Sequence, residues 1–327
     1  LPGAVLTRVA SSHIRVGTFQ FFAARGETDQ LRALAEYTIA RHDPSLAGAP
    51  RRFLALLENV AERQAALIAQ WMNVGFIHGV MNTDNMTISG ETIDYGPCAF
   101  VEAYDPAAVF SSIDTHGRYA FGNQPDIARW NLARFAETLL PLIADEPAEA
   151  VRLAMVVIDA FPARHAAHLL AGQRAKLGID AGDDTADASL AVDWLALLQS
   201  QHVDFTLAWR RLADAAAGDD ATLRALFVHD AALDEWLARW RERIARDGGD
   251  ASDRAARMRR ASPWIIPRNH RVEEALAAAS SSERDLAPFE RLLAAIRRPY
   301  DEAPELAPYA EPAPADVTAS YRTFCGT

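Results

Sequence analysis

The chain has 327 residues, is 50% hydrophobic, and carries 33 Lys and Arg against 44 Asp and Glu, a formal charge of -11. That length can bury a sizeable core and predicts about two domains, while the acidic balance excludes a general nucleic-acid binder, which needs a basic stripe to neutralise phosphates. With no apolar run near the ~20 residues of a membrane span, no secretory leader and only two cysteines, the expectation is a soluble, intracellular (cytoplasmic) protein without membrane partners.

The chain opens Leu1-Pro2-Gly3 without an initiator Met, which reads as a fragment. Arg8 and Arg15 follow within Thr-Arg-Val-Ala-Ser-Ser-His-Ile-Arg-Val. Taken alone, two arginines seven apart are a solvated face. From Phe53 to Trp71 the apolar positions Phe53, Leu56, Leu57, Val60, Leu67, Ile68 and Trp71 form the stripe of an amphipathic helix, interrupted by Gln64 and capped by Gly75.

Residues 76–96 depart from the helical pattern. The β-prone runs Met86-Thr87-Ile88 and Glu91-Thr92-Ile93 flank the turn dipeptide Ser89-Gly90 and predict a hairpin. The expected register pairs Ile88 with Glu91, Thr87 with Thr92, Met86 with Ile93 and Asn85 with Asp94. Opposed residues sit about 5 Å apart on one face, so an amide oxygen and a carboxylate would meet at the open end. That donor pair suits magnesium (or manganese), which takes one or two protein oxygens plus phosphates and water. His78 lies seven residues before Asn85, the kinase spacing, and Asp94-Tyr95-Gly96 stands where a kinase has Asp-Phe-Gly. The kinase base position falls on Val80, which cannot take a proton; the nearest carboxylate is Asp84.

A further helix is expected from Gln124-Pro125-Asp126, burying Ile127, Trp130, Phe135 and Leu139. Others are expected over about 147–175, 187–215, 220–246, 251–260, 271–280 and 285–297, with Trp194, Trp209, Trp236 and Trp240 in the core. The sole lysine, Lys176, is expected at the surface, and the Pro-rich tail from Tyr300 to Pro314 is expected to run extended over it. His165 and His168 lack a third ligand and are read as surface or packing residues.

Several segments together resemble the selenoprotein O family of kinase-like protein adenylyltransferases, called YdiU in bacteria. They are His-Gly-Val-Met-Asn-Thr-Asp-Asn-Met at 78–86 with Ile-Asp-Tyr-Gly-Pro at 93–97, His-Gly-Arg-Tyr-Ala-Phe-Gly-Asn-Gln-Pro at 116–125, and Thr-Phe-Cys-Gly-Thr at 323–327. Pro267-Arg268-Asn269-His270 and Arg298-Pro299-Tyr300 add to the likeness. The resemblance implies a mainly α protein: a protein-kinase-like C-lobe with a short catalytic hairpin over 1–145 and a helical extension over 146–327. The expected N-lobe, with its Gly-rich loop and phosphate-binding lysine, is not found in the sequence, so the piece alone is expected to be inactive.

The same resemblance implies transfer of AMP from ATP to protein hydroxyls, with Asp84 as base, Asn85 and Asp94 as metal ligands, and Arg8 and Arg15 on the phosphates. It reverses the bland reading of the two arginines. It also points to Cys325 as one partner of a disulfide to the activation segment. The usual partner position is Phe110 here, so Cys98 could take its place, or the two thiols stay independent. A protein kinase and a non-catalytic pseudokinase scaffold remain the competing functions.

Overall fold

The computed structural model describes residues 5, 7–180 and 182–324. Helices dominate it, as the periodicity requires: α1 (Val16–Ala23), α2 (Thr28–His42), α3 (Arg52–Val74), α4 (Gln124–Ile143), α5 (Pro147–Leu177), α6 (Asp184–Ser200), α7 (Phe205–Ala216), α8 (Ala221–Arg224), α9 (Asp230–Arg246), α10 (Ala251–Ala261), α11 (Asn269–Ser280), α12 (Ala287–Ile296), α13 (Ala307–Ala310) and α14 (Ala315–Ser320). One two-residue pair, β1 (Phe76–Ile77) antiparallel to β2 (Ala99–Phe100), is the sheet among the described residues. The residues pack as two compact units that interleave in sequence. One draws on 1–69, 80–96 and 123–168, the other on 70–79, 97–122 and 169–327, so no single cut near residue 145 separates them.

In the first unit the expected stripe of α3 is buried at Phe53, Leu56, Leu57, Val60 and Ile68. Its polar interruption is buried too: Gln64 Nε2 donates to Thr87 O at 2.6 Å. The short α1 packs against α4 and α2, with Phe19 edge-on to Phe135 at 4.9 Å. Aromatic edge-to-face pairs add about 0.5–1.5 kcal/mol beyond their buried area. Phe135 and Leu139 of α4 are buried as expected, but Trp130 is exposed, its indole faced by Arg134. Helices α1 and α2 lack an apolar period that the sequence makes legible. The inward side of α2 is Leu31, Ala35, Thr38 and Ile39, a stripe too small and too polar to stand out as periodicity.

Helix α5 is the one described helix long and apolar enough to cross a membrane by length and composition. It also carries Asp159, paired with Arg129 at 2.7 Å, and Arg164, paired with Glu62 at 3.3 Å. Such ion pairs are costly in hydrocarbon, so we read α5 as an amphipathic helix. His165 is buried and His168 pairs with Glu62 at 2.6 Å, in line with packing and surface roles.

The second unit is built on tryptophans. Trp194 lies 4.4 Å from Trp236 and 5.9 Å from Trp209, and Trp236 stacks on Trp240 at 5.9 Å. The buried indoles of Trp236 and Trp240 donate to Leu190 O (3.0 Å) and Leu177 O (2.8 Å). The single helix expected over 187–215 is two, because His202 sits at φ +53 and Asp204 caps α7 by accepting from Leu207 N at 2.7 Å. Gly75 does cap α3, at φ +76, and a Cβ there would lie 2.9 Å from the Phe205 ring. The tail differs from expectation: it turns helical at α13 and buries Leu306 and Ala310 against Trp264, Ile265 and Ala295. Apolar contact there outweighs the extended preference of its prolines.

Lys176 is not at the surface; its side chain is buried. Nζ donates to Asn73 O in the last turn of α3 and faces the rings of Phe205 (5.3 Å) and Trp209 (5.1 Å). Desolvation pushes its pKa down from the usual 10.5 to about 7. Between those values the unfolded chain holds a proton that the folded chain has released, so stability rises with pH from about 7 to 10.5. Urea midpoints at pH 7 and pH 9.5 should show that rise, with a slope approaching about 1.4 kcal/mol per pH unit, and Lys176→Met should lose it. An equal slope in the variant would mean that Lys176 is charged in both states.

Candidate active site

The loop over 81–94 is held from three sides within the first unit. From α4, Asn131 Nδ2 donates to Met81 O at 2.9 Å. From α3, Gln64 takes Thr87 O and Arg63 Nε donates to Ile88 O at 3.1 Å. From the N-terminal segment, Ile14 O accepts from Ile88 N (3.0 Å), while Val16 N and Gly17 N donate to Met86 O (3.0 Å) and Thr83 O (2.9 Å). These last two are first-turn donors of α1, which a helix cannot satisfy internally. The loop therefore completes the helix, and the helix fixes the loop.

The hairpin exists, but its register is one residue off the expected one. Met86 pairs with Thr92 instead of Ile93, and Thr87 pairs with Arg15. The cause is the Thr87 hydroxyl, which donates to Glu91 O at 2.7 Å and accepts from Glu91 N at 3.1 Å. That side chain takes over the inner rung of the turn and leaves the backbone of Thr87 to the N-terminal segment. Asn85 therefore does not stand directly opposite Asp94. The orientation of Asp94 is set instead by a left-handed backbone, φ +57, a conformation that Asp tolerates better than most residues and that clusters at functional sites.

Three of the expected site residues converge. Asp94 Oδ2 lies 3.0 Å from Arg15 Nη2, and Asp94 Oδ1 is ion-paired with Arg8. Arg15 reaches this place because its backbone is bridged to Thr87; Arg8 does so on a segment anchored by Ser11, whose N–H and hydroxyl both donate to Glu91 at 3.0 Å. Asn85 directs its Nδ2 to Val80 O at 2.9 Å, which turns the amide oxygen away from that carbonyl. Asp84 is exposed and lies inside a tight turn led by Asn82, whose Oδ1 accepts from Asp84 N at 3.1 Å and whose carbonyl accepts from Asn85 N at 3.0 Å.

Gly17 was invisible to motif reading. A Cβ on it would fall 2.0 Å from Asp84 Oδ1, so the Asp84 carboxylate rests on the first turn of α1 in the space that a side chain at position 17 would take. The faint signal in the sequence was a glycine directly after Arg15-Val16, where a helix begins. Asn131, buried and bonded to the loop, was likewise missed, because only the fold brings it to Met81.

The donor set fits a hard divalent cation supported by a nucleotide. Asn85 and Asp94 carry an amide oxygen and a carboxylate, donor types that a hard divalent cation takes, and two guanidinium groups stand against the Asp94 carboxylate as stand-in cations. Arg15 Nε is buried without a hydrogen-bond partner, a spare donor of the kind a phosphate oxygen would accept. Among the described residues no group of three or more His, Cys, Asp or Glu side chains could hold a metal, so the remaining ligands would have to come from substrate and water. Cys325 lies outside the described residues. Cys98 is half-buried, and burial pushes its thiol up to about 11, so little of it is thiolate at neutral pH. The nearby tail is ordered: Thr323 Oγ1 donates to Pro97 O at 2.7 Å, and Thr323 N donates to Phe110 O at 2.8 Å.

Comparison with known proteins agrees with the motifs. The family model described as "Protein adenylyltransferase SelO" matches residues 1–297. Proteins named "Protein nucleotidyltransferase YdiU" are 58% identical in Rhizobium etli, 60% in Cereibacter sphaeroides and 59% in Chromobacterium violaceum, each over 100% of this chain. The chain spans 65%, 66% and 68% of those three relatives, about two thirds of their length. A match over nearly the whole chain, with relatives this similar, places it by descent: the chain belongs to the SelO family.

Proposed function

We propose that the full-length protein is a protein adenylyltransferase with a kinase-like catalytic lobe, moving AMP from ATP to Ser, Thr or Tyr hydroxyls of other proteins. The observation that carries the reading is the convergence of Arg8 and Arg15 on Asp94, beside a loop that presents Asn85 and Asp84. Arg8 and Arg15 bind the phosphates, and their fixed positive charge stabilises the departing pyrophosphate. Asn85 and Asp94 hold magnesium or manganese, which when bound neutralises charge on the phosphate oxygens. Asp84 accepts the proton of the acceptor hydroxyl as its oxygen bonds to the α-phosphorus. The bond from that phosphorus to the bridging oxygen breaks, and pyrophosphate leaves.

Phosphoryl transfer is the second reading, since the spacing from His78 through Asn85 to Asp94 is shared with kinases. ATP labelled at either the α- or the γ-phosphate separates the two. Full-length protein is expected to pass label to protein only from the α position. Label arriving from the γ position would make it a kinase, and ATP binding without either would leave a scaffold.

Gly17→Ala tests the seat of Asp84. Alanine favours helix by about 1 kcal/mol over glycine, so fold stability should hold while the carboxylate is displaced. A shift of about 1 Å at a reacting group can cost about 10²-fold. The expected result is a loss of that order in turnover with unchanged ATP affinity. A wild-type rate would show that the contact with Gly17 does not position Asp84.

A further inference from the structure

Asp94 is the only carboxylate in the proposed ligand pair, and both of its oxygens face a guanidinium. Oδ1 is ion-paired with Arg8, and Oδ2 with Arg15 at 3.0 Å. These arginines are the same two assigned to the phosphates. We infer that nucleotide and divalent metal bind this site as strongly coupled partners, by an exchange of ion pairs in which phosphates draw Arg8 and Arg15 off Asp94 as the metal takes the carboxylate. The inference rests on the proposed phosphate and metal roles of these residues.

Two guanidiniums on one carboxylate leave the cluster of Arg8, Arg15 and Asp94 with a net charge of +1. A divalent ion arriving alone must break at least one ion pair and then sit beside two cations. A polyphosphate arriving alone strips the guanidiniums from Asp94 and leaves the carboxylate facing a polyanion. Both routes strand a charge in a partly shielded place, since the side chain of Asp94 is 16% exposed and that of Arg15 25%. Shielded pairs are weakened less by water and salt than surface ones. Only when metal and nucleotide arrive together does every charge keep an opposite one.

The supports around the three side chains suit such an exchange. The backbone of Arg15 is bridged to Thr87, and the segment bearing Arg8 is tied through Ser11 to Glu91. The long side chains can therefore swing while their origins stay fixed. Arg15 Nε, buried without a hydrogen-bond partner, is a donor that the carboxylate leaves unused and an anion can take. Asp94 keeps its direction through its left-handed backbone, so the carboxylate remains in place when the guanidiniums leave.

The test uses full-length protein, with Mn2+ followed by electron paramagnetic resonance and, as nucleotide, an ATP analogue carrying a methylene between the α- and β-phosphorus. Coupling of the usual size makes Mn2+ bind about 5–150-fold tighter with the analogue present, and the analogue gains by the same factor from Mn2+. The distinguishing variant is Arg15→Gln. It is expected to bind Mn2+ alone several-fold tighter than wild type, while its metal-free affinity for the analogue falls. Arg8→Gln, on an exposed side chain, should move both affinities the same way and stands in if Arg15→Gln does not fold. Mn2+ binding that depends on Asp94 but is unchanged or weakened in both arginine variants overturns the coupling alone. Mn2+ binding that survives Asp94→Asn in the presence of the analogue overturns the metal role of Asp94, and the coupling with it.

Discussion

Asp94→Ala in the full-length protein is expected to abolish the metal-dependent part of nucleotide binding, whereas Asp84→Ala leaves binding intact and lowers transfer by about 10²–10⁴-fold. The two carboxylates lie ten residues apart on one loop and differ in what they touch. Asp94 is ion-paired to Arg8 and Arg15, so its removal takes a charged ligand from the metal and also frees both arginines. Metal-free affinity for ATP should then hold or rise, which separates loss of a ligand from loss of the fold. Asp84 is exposed, its carboxylate resting on Gly17, and its removal deletes a proton acceptor and little else. Calorimetric titration of ATP with and without Mg2+, beside a single-turnover assay, reads both effects. Equal loss of ATP affinity in the two variants would make Asp84 a ligand, and full turnover in Asp84→Ala would end its role as base.

Arg268→Met is expected to give the largest loss of stability of any single change in the second unit, about 3–5 kcal/mol. Arg268 is fully buried and donates to Glu102 (2.6 Å), to both oxygens of Asp204 (2.6 and 3.1 Å) and to Ala310 O (2.9 Å). One cation thus faces two carboxylates and ties the irregular segment after β2, the start of α7 and α13 together. Without it, Glu102 and Asp204 are left facing each other away from water. Burial already raises the pKa of Glu102, and losing the guanidinium would raise it further. Denaturant unfolding measures the loss. The variant Arg268→Met with Glu102→Gln and Asp204→Asn should recover part of it, because the stranded charges are gone. A wild-type midpoint for Arg268→Met alone would show that the cluster contributes no net stability.

The sequence by itself determined the helical class, the start of α4 at Pro125, the cap at Gly75, the tryptophan core and the family. Each follows from local signals: a period of 3.6, a residue suited to one backbone angle, or a contiguous run of residues that matches a family motif. It also singled out Asn85, Asp94, Asp84, Arg8 and Arg15, through a spacing shared with kinases and a likeness to one family. What it could not decide was every feature set by a partner far along the chain. The hairpin slipped by one residue because the Thr87 hydroxyl bonds Glu91 across the turn while the chain around Thr87 pairs with Arg15, more than seventy positions away. Lys176 went inside because α7 offers two rings and the end of α3 a carbonyl that accepts from its ammonium; its charge alone argued for water. Gly17 gained a role only when Asp84 came to rest on it. Hydrophobic period and turn chemistry act over a few residues and can be read in order along the chain. Ion pairing, close approach and register depend on which surfaces meet, and only the tertiary structure decides that.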